Sequence, residues 1–566
     1  MFIDLNNLDS NHTILLNSIS DEIRTDFNIL IDLIINKTDK SIFWLVNPLI
    51  SRNNYFSTLF TDLCYLELCK KLINNHELKK IIVPSTRLKN VLKKSNIIDE
   101  KTELIVSSNL FIEKLKVYKI ILKRSLNIAI YSLYLFLKSS SQRKKKILNN
   151  INSIVLIDTY ITKEEIVGNK YKSRFFSNKK FWDFNNNKSK SNIFFCPEFE
   201  FSTKDILSFR LGKAFKVLNK SKINIIFKND FLGYKDYIFA LFSSFKINKI
   251  DLSNFYFRGL NVGPLLNYDY INNINNVNSF YGILNYRFFK NIRKTNISIR
   301  KIILSFENQP SDKGFCMGVN KFFSQVEFLG YQNFVSSYNY NQYLLPTVTE
   351  EKLKIIPKKI LVIGKKIIPI IKKFNKNLNV ILGPGLRFSH IHDDLQKNEK
   401  KNILICLPDD FNLSYKIIEL CNHVIFSIKD YKILLKPHPN NDLSNILESF
   451  PIFKNNVDIV YGSIGNYLNK TKIFISSSST VCFESIAFGI PTIIVELNSK
   501  LNRNPIPNDI DQIIWRVCYN KNDINKTINE FLKYSFDELS KLKNISSKIK
   551  NDYFEKISKK NIKILT

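Results

Sequence analysis

The sequence predicts an α/β protein with two Rossmann-like lobes, a cleft between them and a C-terminal helical tail. Short apolar runs, typical of buried strands, alternate with longer helical segments, which is the rhythm of parallel sheets. The chain has 566 residues, which is too long for one ordinary core. A polar, proline-bearing stretch with little periodicity, residues 338–357, separates two series of these units and is the predicted linker.

The predicted organisation has five parts. They are an N-terminal helical segment (1–40), a first α/β lobe with insertions (41–337), the linker (338–357), a second α/β lobe (358–515) and a helical tail (516–566). The main predicted strands of the first lobe are 42–46, 81–84, 104–106, 154–157, 193–196, 223–227, 302–306 and 326–329. Those of the second lobe are 360–363, 380–382, 403–407, 433–435, 472–475 and 493–495. The asparagine-rich segment 267–278 is predicted to be a loop.

The charge balance is strongly basic, with 84 Lys+Arg against 50 Asp+Glu and a formal net charge of +34. Nucleic-acid binding, attraction to an anionic membrane and a lysine-rich coding bias all produce such a balance. The lysines are spread along the chain, and no aromatic-interleaved RNA motif, zinc finger or basic-region helix is recognisable. We therefore predict no nucleic-acid partner. A basic surface attracts anionic nucleotide sugars and lipids.

Cysteine usage and hydropathy indicate a cytoplasmic chain. Eight cysteines are scattered without C-x-x-C pairs, which argues against a disulfide framework or a structural zinc site. The acidic, polar N-terminus does not resemble a signal peptide. The most apolar helical run, 126–137, is shorter than a spanning helix and is flanked by basic residues. We expect a core helix there; the alternative is an interfacial helix on the inner face of the cytoplasmic membrane.

The most specific chemistry lies in residues 431–496. A short apolar run ends in Lys436-Pro437-His438-Pro439. Residues before prolines are pushed out of the helical region, so this stiff turn presents a cation and an imidazole at a strand end. The next predicted strand runs into a hydroxyl-rich loop and a short helix, and such a unit suits phosphate. The loop residues are Ser476, Ser477, Ser478, Ser479 and Thr480.

Ligands of open α/β sheets bind outside the carboxyl ends of the strands. By this rule His438 and the serine loop should face one crevice. Each motif also has an ordinary interpretation: a rigid loop for the first, and a linker or helix cap for the second. Farther upstream, Gly383 and Gly385 follow a strand and allow close backbone approach, and Arg387 can pair with a phosphate or carboxylate.

The turn at residues 436–439, the serine loop, Glu484, Gly489 and Pro491 together resemble the donor-binding half of GT-B glycosyltransferases. The likeness is in particular to the histidine-proline and serine motifs of bacterial sialyltransferases and capsule Kdo transferases. Residues 305–332 are similar to a family of surface carbohydrate biosynthesis proteins. The resemblance covers roughly residues 302–495. It implies a metal-independent transfer of a sugar, favouring a CMP-activated ulosonic or sialic-like acid, to a glycan or lipid-linked acceptor.

The resemblance also implies site roles. His438 would protonate or hydrogen-bond the departing phosphate, replacing a metal as charge neutraliser. Glu307, an acid at a strand end, would deprotonate the acceptor hydroxyl, or it simply begins the next helix; Asp312 is the second candidate. The donor-binding set is Gly383, Gly385, Arg387, Lys436, Ser476, Ser477, Ser478, Ser479, Thr480 and Glu484. No cofactor is expected beyond the nucleotide-sugar substrate, and the run from His390 to Asp394 is not expected to hold a metal.

Two other functions remain open at the sequence level. A CDP-glycerol-type polyol phosphate transferase shares the two-lobe plan but moves a different group. A non-catalytic scaffold of a capsule assembly complex would keep the fold without turnover.

Overall fold

The computed structural model confirms the predicted fold class: an α/β protein with a parallel sheet in each of two lobes and a helical C-terminus. The structure describes residues 2–75, 78–95, 98, 102–107, 110–140, 153–162, 165–173, 175–176, 179–184, 192–199, 210–243, 250–393, 400–424, 428, 430–438 and 443–566.

The strands are numbered in chain order. They are β1 Phe2–Asp4, β2 Lys80–Val83, β3 Glu103–Val106, β4 Ile154–Ile161, β5 Ile166–Val167, β6 Lys170–Tyr171, β7 Ile193–Phe199, β8 Asn224–Ile225, β9 Tyr256–Phe257, β10 Leu260–Asn261, β11 Ile299–Ser305, β12 Glu327–Gln332, β13 Lys359–Val362, β14 Val380–Leu382, β15 Asn402–Cys406, β16 Lys432–Lys436, β17 Asp458–Ile459, β18 Thr471–Ser476, β19 Thr492–Val495 and β20 Trp515–Cys518.

The α-helices of the described residues are numbered in the same way. They are α1 Ser10–Lys37, α2 Ile42–Leu45, α3 Pro48–Ser51, α4 Leu59–Asn75, α5 Thr86–Lys94, α6 Leu110–Ser140, α7 Lys179–Asp183, α8 Arg210–Asn219, α9 Tyr234–Ser243, α10 Gly263–Asn272, α11 Val277–Ile292, α12 Pro310–Phe322, α13 Val348–Lys352, α14 Ile367–Ile371, α15 Phe411–Val424, α16 Ser444–Glu448, α17 Pro451–Asn455, α18 Gly465–Leu468, α19 Val481–Ala487, α20 Lys521–Leu532, α21 Phe536–Tyr553 and α22 Lys559–Ile562.

Each lobe is built on one parallel sheet. The first sheet has the order β14-β13-β12-β11-β4-β7-β8 and the second the order β17-β16-β15-β18-β19-β20. All strands of each sheet are parallel, but successive strands are added towards one edge up to a certain point and then towards the other edge. This change of side lies between β4 and β11 in the first lobe and between β15 and β18 in the second. Such a change of side opens a crevice at the carboxyl ends of the two strands, where ligands of this architecture bind. The topology therefore marks one candidate crevice in each lobe.

The lobe boundary differs from the prediction. β13 pairs with β12 from Leu329 to Gln332, and β14 pairs with β13, so both extend the first sheet. The second sheet begins at β15 instead of at residue 360. Residues 338–357, predicted to be the linker, lie within the first lobe, where Tyr343 and Leu344 join its core. An apolar run predicts a strand but does not say which neighbour it pairs with.

The N-terminal region has a core of its own. β1, β2 and β3 form a separate three-stranded parallel sheet, which packs with α1 and α4. The predicted strand at 42–46 is wrong: this run forms α2, with Trp44 buried. The predicted loop at 267–278 is also wrong, because α10 and the start of α11 occupy most of it. A five-residue apolar run fits a buried helix as well as a strand.

The apolar segment 126–137 is not a core helix. It belongs to the 31-residue α6, of which one face packs on the first lobe while Leu126 and Leu133 are both 60% exposed.

The C-terminal tail crosses to the first lobe. Gly385 N–H donates to the carbonyl of Glu555 at 2.9 Å, and Lys301 Nζ donates to the carbonyl of Ile564 at 3.0 Å. At Gly364 an added Cβ would collide with the backbone of Tyr553, so glycine is needed for this close approach. The tail thus ties the second lobe to the first.

A buried ion network fixes the turn that follows β11. Glu350 forms a salt bridge with Arg52 at 2.8 Å and a second, shorter one with Lys313, and each of these three side chains is 1% exposed or less. Lys313 also donates to Asn308 Oδ1 at 3.0 Å. Burial alone would raise the pKa of Glu350, but the two cations outweigh it and lower that pKa to about 2. The carboxylate is therefore charged at every ordinary pH.

Glu350→Gln leaves two buried cations without their counter-ion. We expect a loss of about 3–5 kcal/mol in the free energy of unfolding of the first lobe. Chemical denaturation followed by circular dichroism measures it. In the wild type this contribution is present above pH 4.5 and is lost as the pH falls towards 2, because the folded-state pKa lies below the ordinary value. The control is Lys352→Gln, an exposed charged residue on the same helix, for which we expect a change within about 0.5 kcal/mol. Equal effects of the two variants would contradict this account.

Candidate functional site

The carboxyl edge of the second sheet gathers the motifs that the sequence singled out. β15 lies between β16 and β18, so the turn after β16 and the loop after β18 flank it on either side. Lys436 pairs in register with Cys406, and Ser476 Oγ donates to the carbonyl of Cys406 at 2.7 Å. His438 Nδ1 lies 3.6 Å from Asp409 Oδ1, on the segment that follows β15. The histidine turn and the serine loop therefore meet at the β15/β18 crevice.

The serines of this loop have different environments. Ser476 and Ser477 are both fully buried. The Ser476 hydroxyl is bound to β15, whereas Ser477 Oγ has no hydrogen-bond partner among the described residues. Ser478, Ser479 and Thr480 are partly exposed, and Ser479 Oγ accepts weakly from the N–H of Val481 at 3.4 Å. Ser476 therefore holds the strand end, and the Ser477 hydroxyl is buried without a hydrogen-bond partner among the described residues.

Glu496 is a site residue that the sequence analysis missed. It directly follows β19, which pairs with β18 up to Ser476 and Ile494. Its side chain is buried, and Oε1 has no hydrogen-bond partner in the described part of the chain. Burial raises the pKa of Glu496 to about 8, although Arg503 partly offsets the effect. The carboxyl group is therefore mostly neutral at pH 7 and can both donate and accept a hydrogen bond.

Arg503 joins the two lobes beside this carboxyl group. Its guanidinium carbon lies 5.0 Å from the ring centre of Tyr340 and 5.5 Å from that of Tyr55, both in the first lobe. Arg503 Nη1 also pairs with Asp410 of the second lobe at 3.1 Å. A cation at these distances from two aromatic rings is attracted by both. The sequence around Arg503 (Asn-Arg-Asn-Pro-Ile-Pro) predicts a stiff extended loop, but nothing in it predicts these partners.

Glu484 is engaged by a histidine from the first lobe. His390 Nε2 and Glu484 Oε2 form a hydrogen bond of 2.9 Å. His392, two residues on, instead contacts the carbonyl of Phe554 at 2.7 Å through Nε2. The two histidines thus have separate partners, and within the described ranges no group of three or more His, Cys, Asp or Glu side chains is arranged to hold a metal. Donor binding by Glu484 stays a prediction.

The predicted glycine loop lies on the first lobe. Gly383 and Gly385 follow β14, the edge strand of the first sheet, and Gly383 N–H donates to the carbonyl of Val362 at 2.8 Å. At Gly385 a Cβ would press on the carbonyl of Glu555, so this glycine accommodates the C-terminal tail. The Arg387 guanidinium lies over the ring of Phe388. All of these contacts are with other residues of the protein. Donor binding by this loop stays a prediction.

Glu307 and Asp312 lie at the carboxyl end of β11, beside the crevice of the first lobe. Asp312 is buried and accepts from the N–H groups of Glu307 at 2.8 Å and Gln309 at 3.3 Å. Burial, reinforced by the charge of Glu307, raises the pKa of Asp312 well above its usual value. Its contacts are those of a helix cap. Glu307 is partly exposed. Burial raises the pKa of Tyr343, and the nearby charge of Glu307 raises it further. The catalytic roles of both acids stay predictions.

A buried ion cluster lies across the same crevice and was not expected. Lys228 Nζ pairs with Asp158 on β4 at 2.9 Å and with Glu198 on β7 at 2.6 Å. Burial alone would lower the pKa of Lys228, but the two carboxylates raise it, so this lysine stays protonated. Glu198 lies inside β7 and is mostly buried.

Comparisons with known proteins give distant structural likenesses. S. aureus MnaA, solved with UDP, is 11% identical at a TM-score of 0.43, covering 72% of this chain and 94% of that one. A UDP-glucose:anthocyanidin 3-O-glucosyltransferase in complex with UDP is 11% identical at a TM-score of 0.41, covering 71% and 95%. Acinetobacter baumannii MurG is 9% identical at a TM-score of 0.36, covering 73% and 99%. No protein-family model matches the sequence, and no curated protein matches it. Likenesses this low assign neither an activity nor a residue role to this chain.

The two adjacent buried serines should respond differently to the same substitution. Ser476→Ala removes a buried hydrogen bond and leaves the Cys406 carbonyl without this donor, so we expect a loss of about 1 kcal/mol. Ser477→Ala removes a buried hydroxyl that makes no hydrogen bond to any described residue, so the free energy of unfolding should stay the same or rise. Denaturation of the two variants in parallel measures both effects. Equal losses would show that the Ser477 hydroxyl has a structural partner.

Glu496→Gln tests the raised pKa of this carboxyl group. The folded-state pKa lies above the ordinary value of 4.5, so wild-type stability is fully present below pH 4.5 and is lost as the pH rises through about 8. Glutamine is neutral throughout and avoids this loss. We expect the thermal midpoint of the variant to equal that of the wild type near pH 4.5 and to exceed it by several degrees at pH 9. Glu448→Gln, at an exposed position of the same lobe, is the control. A difference that does not change with pH would mean that Glu496 is ionised in the folded protein.

Proposed function

We propose that the protein is a GT-B-type glycosyltransferase that uses a nucleotide-sugar donor. The observation that carries this proposal is the β15/β18 crevice, where Lys436, His438, Ser477 and Glu496 lie at the ends of neighbouring strands. This set of groups can bind a phosphate that is joined to a polyhydroxylated ligand. The set comprises a cation, an imidazole, a buried hydroxyl and a neutral carboxyl group. We place the donor on the second lobe and the acceptor on the first.

The proposed reaction divides between the lobes. The acceptor hydroxyl oxygen attacks the anomeric carbon of the donor, while the bond from that carbon to the phosphate oxygen breaks. Glu307, at the edge of the first sheet, takes the proton of the attacking hydroxyl. His438 gives a proton or a hydrogen bond to the departing phosphate, and Lys436 adds positive field. Asp409 Oδ1 lies 3.6 Å from Nδ1 of His438, beside the imidazole that takes part in this step.

The resemblance to sialyltransferases and Kdo transferases favours a donor with one phosphate. We therefore propose a CMP-activated ulosonic or sialic-like acid as donor, whose phosphate and sugar carboxylate would both be attracted by Lys436 and His438. The proposed acceptor is a glycan or lipid-linked glycan of a surface polysaccharide, and the proposed compartment is the cytoplasm. The reaction as proposed needs no metal and no cofactor.

Nucleotide binding provides the first test. The thermal midpoint of the full chain is measured with CMP, CDP, UMP, UDP or GDP, for the wild type, His438→Ala and His423→Ala. His423 is an exposed histidine on α15 of the same lobe and serves as the matched control. We expect CMP to raise the midpoint of the wild type and the control, and to raise that of His438→Ala much less.

Sugar transfer from a CMP-activated donor provides the second test, and loss of general acid catalysis should lower turnover in His438→Ala by about 100-fold or more. A shift with UDP or GDP alone would reject the CMP-linked donor. A shift with CDP alone would favour polyol phosphate transfer from a CDP-linked donor. No shift with any nucleotide would overturn the proposed function and favour a non-catalytic scaffold.

A further inference from the structure

The long helix α6 stands out among the surface elements of the molecule. Within the described residues it contains the one helix, Glu113–Leu137, that is long and apolar enough to cross a membrane, and only 22% of that segment's apolar window is buried. The core helix of a soluble lobe would bury far more of its apolar residues. The exposed part of α6 therefore needs a partner.

One face of α6 is fixed to the first lobe. Ile128, Tyr131 and Leu135 are buried in the core of that lobe. Arg124 Nη1 donates to the carbonyl of Asn272 at the end of α10, at 2.5 Å. A membrane-spanning arrangement would pull these residues out of the core, so a partner must meet the helix from the side.

The opposite face of α6 is an exposed apolar stripe. Its residues recur at intervals of three and four, so they share one helix face about 120° wide. The most exposed of them, Leu122, is 72% exposed. The stripe consists of Leu115, Tyr118, Leu122, Leu126, Ile130 and Leu133.

The neighbouring helix α9 extends this surface. α9 packs against α6, for example through the rings of Phe136 and Tyr237, 6.4 Å apart. Tyr234 and Ile238 of α9 are both more than half exposed and lie one helical turn apart. We name the stripe of α6 together with these two residues the α6–α9 face. Soluble surfaces rarely expose so many large apolar side chains together.

The charged residues of α6 after Glu113 are all basic. Between Glu113 and Asp158 the sequence has no acidic residue. Lys119 falls within the stripe, Lys123 lies on its border, and Lys114 and Lys116 lie on its two flanks. The basic residues of this stretch are Lys114, Lys116, Lys119, Lys123, Arg124, Lys138, Arg143, Lys144, Lys145 and Lys146, of which the last four lie outside the described residues.

We propose that the α6–α9 face lies flat on an anionic lipid bilayer. The leucines enter the boundary between headgroups and acyl chains, and the flanking lysines extend towards the phosphates. A second copy of the chain is a poorer partner, because a two-fold contact would bring the same lysines together. This binding does not depend on the proposed transferase activity.

Vesicle sedimentation of the full chain tests the apolar part of the proposal. We expect strong binding to vesicles that contain phosphatidylglycerol, and about tenfold weaker binding to phosphatidylcholine alone. The triple variant Leu122→Gln, Leu126→Gln, Leu133→Gln should lower the partition coefficient on anionic vesicles by about tenfold or more. The matched control is Ile29→Gln, Ile452→Gln, Phe536→Gln, at exposed apolar positions elsewhere, which should change it less than about twofold. Circular dichroism confirms that each variant is folded.

A charge-matched pair separates a specific face from diffuse attraction by the +34 charge. Lys114→Gln, Lys116→Gln, Lys119→Gln should weaken binding to anionic vesicles about tenfold. Lys541→Gln, Lys543→Gln, Lys548→Gln removes the same charge from exposed positions on α21 and should leave binding nearly unchanged. Equal losses in the two lysine variants, or no binding by the wild type, would overturn the proposal. If the leucine variant instead converts a dimer into a monomer in light scattering without changing vesicle binding, the face is an interface between copies and the proposal is wrong.

Discussion

The Arg52–Glu350–Lys313 network is the constraint on which the first lobe depends. Its members come from three distant segments, and with one carboxylate for two cations a buried positive charge remains. Burial and the Arg52 charge accordingly lower the pKa of Lys313, although Glu350 opposes them. Asn308, which has a positive φ of 56°, is held in the same network through its hydrogen bond with Lys313. Glu307 directly precedes Asn308, so the network sets the path of the backbone that presents this candidate base.

The segment after β19 links the candidate site to the contact between the lobes. Ser499 N–H donates to Thr13 on α1 at 3.0 Å, and Tyr65 on α4 donates to the Ser499 carbonyl at 2.9 Å. Arg503 then meets Tyr340 of the first lobe, whose phenol is also within reach of the Glu496 charge. The raised pKa of Glu496 follows from burial next to this contact.

Most strands could be predicted from apolar runs, because strands buried on both faces of a parallel sheet must be almost continuously apolar. The predicted runs at 433–435 and 472–475 lie in β16 and β18. Sheet membership could not be predicted, because pairing depends on contacts between segments far apart in sequence. β13 and β14 were assigned to the wrong lobe for this reason. The separate N-terminal sheet was missed because β2 and β3 have the same local pattern as the strands of the main sheet, and because β1 lies in a segment that was predicted to be helical.

The motifs of the candidate site were recognisable where one short segment holds the chemistry, and missed where the chemistry depends on burial. The His438 turn and the serine loop follow β16 and β18, the two strands that flank β15, so the carboxyl-end rule puts both at one edge of the sheet. Sequence spacing could not tell that Ser476 is bound to β15 while Ser477 is not, because both are serines in one run. Nor could it single out Glu496, an acid after a strand like several others in the chain. The raised pKa that distinguishes Glu496 comes from burial among residues of both lobes, and these residues come together only in the folded chain.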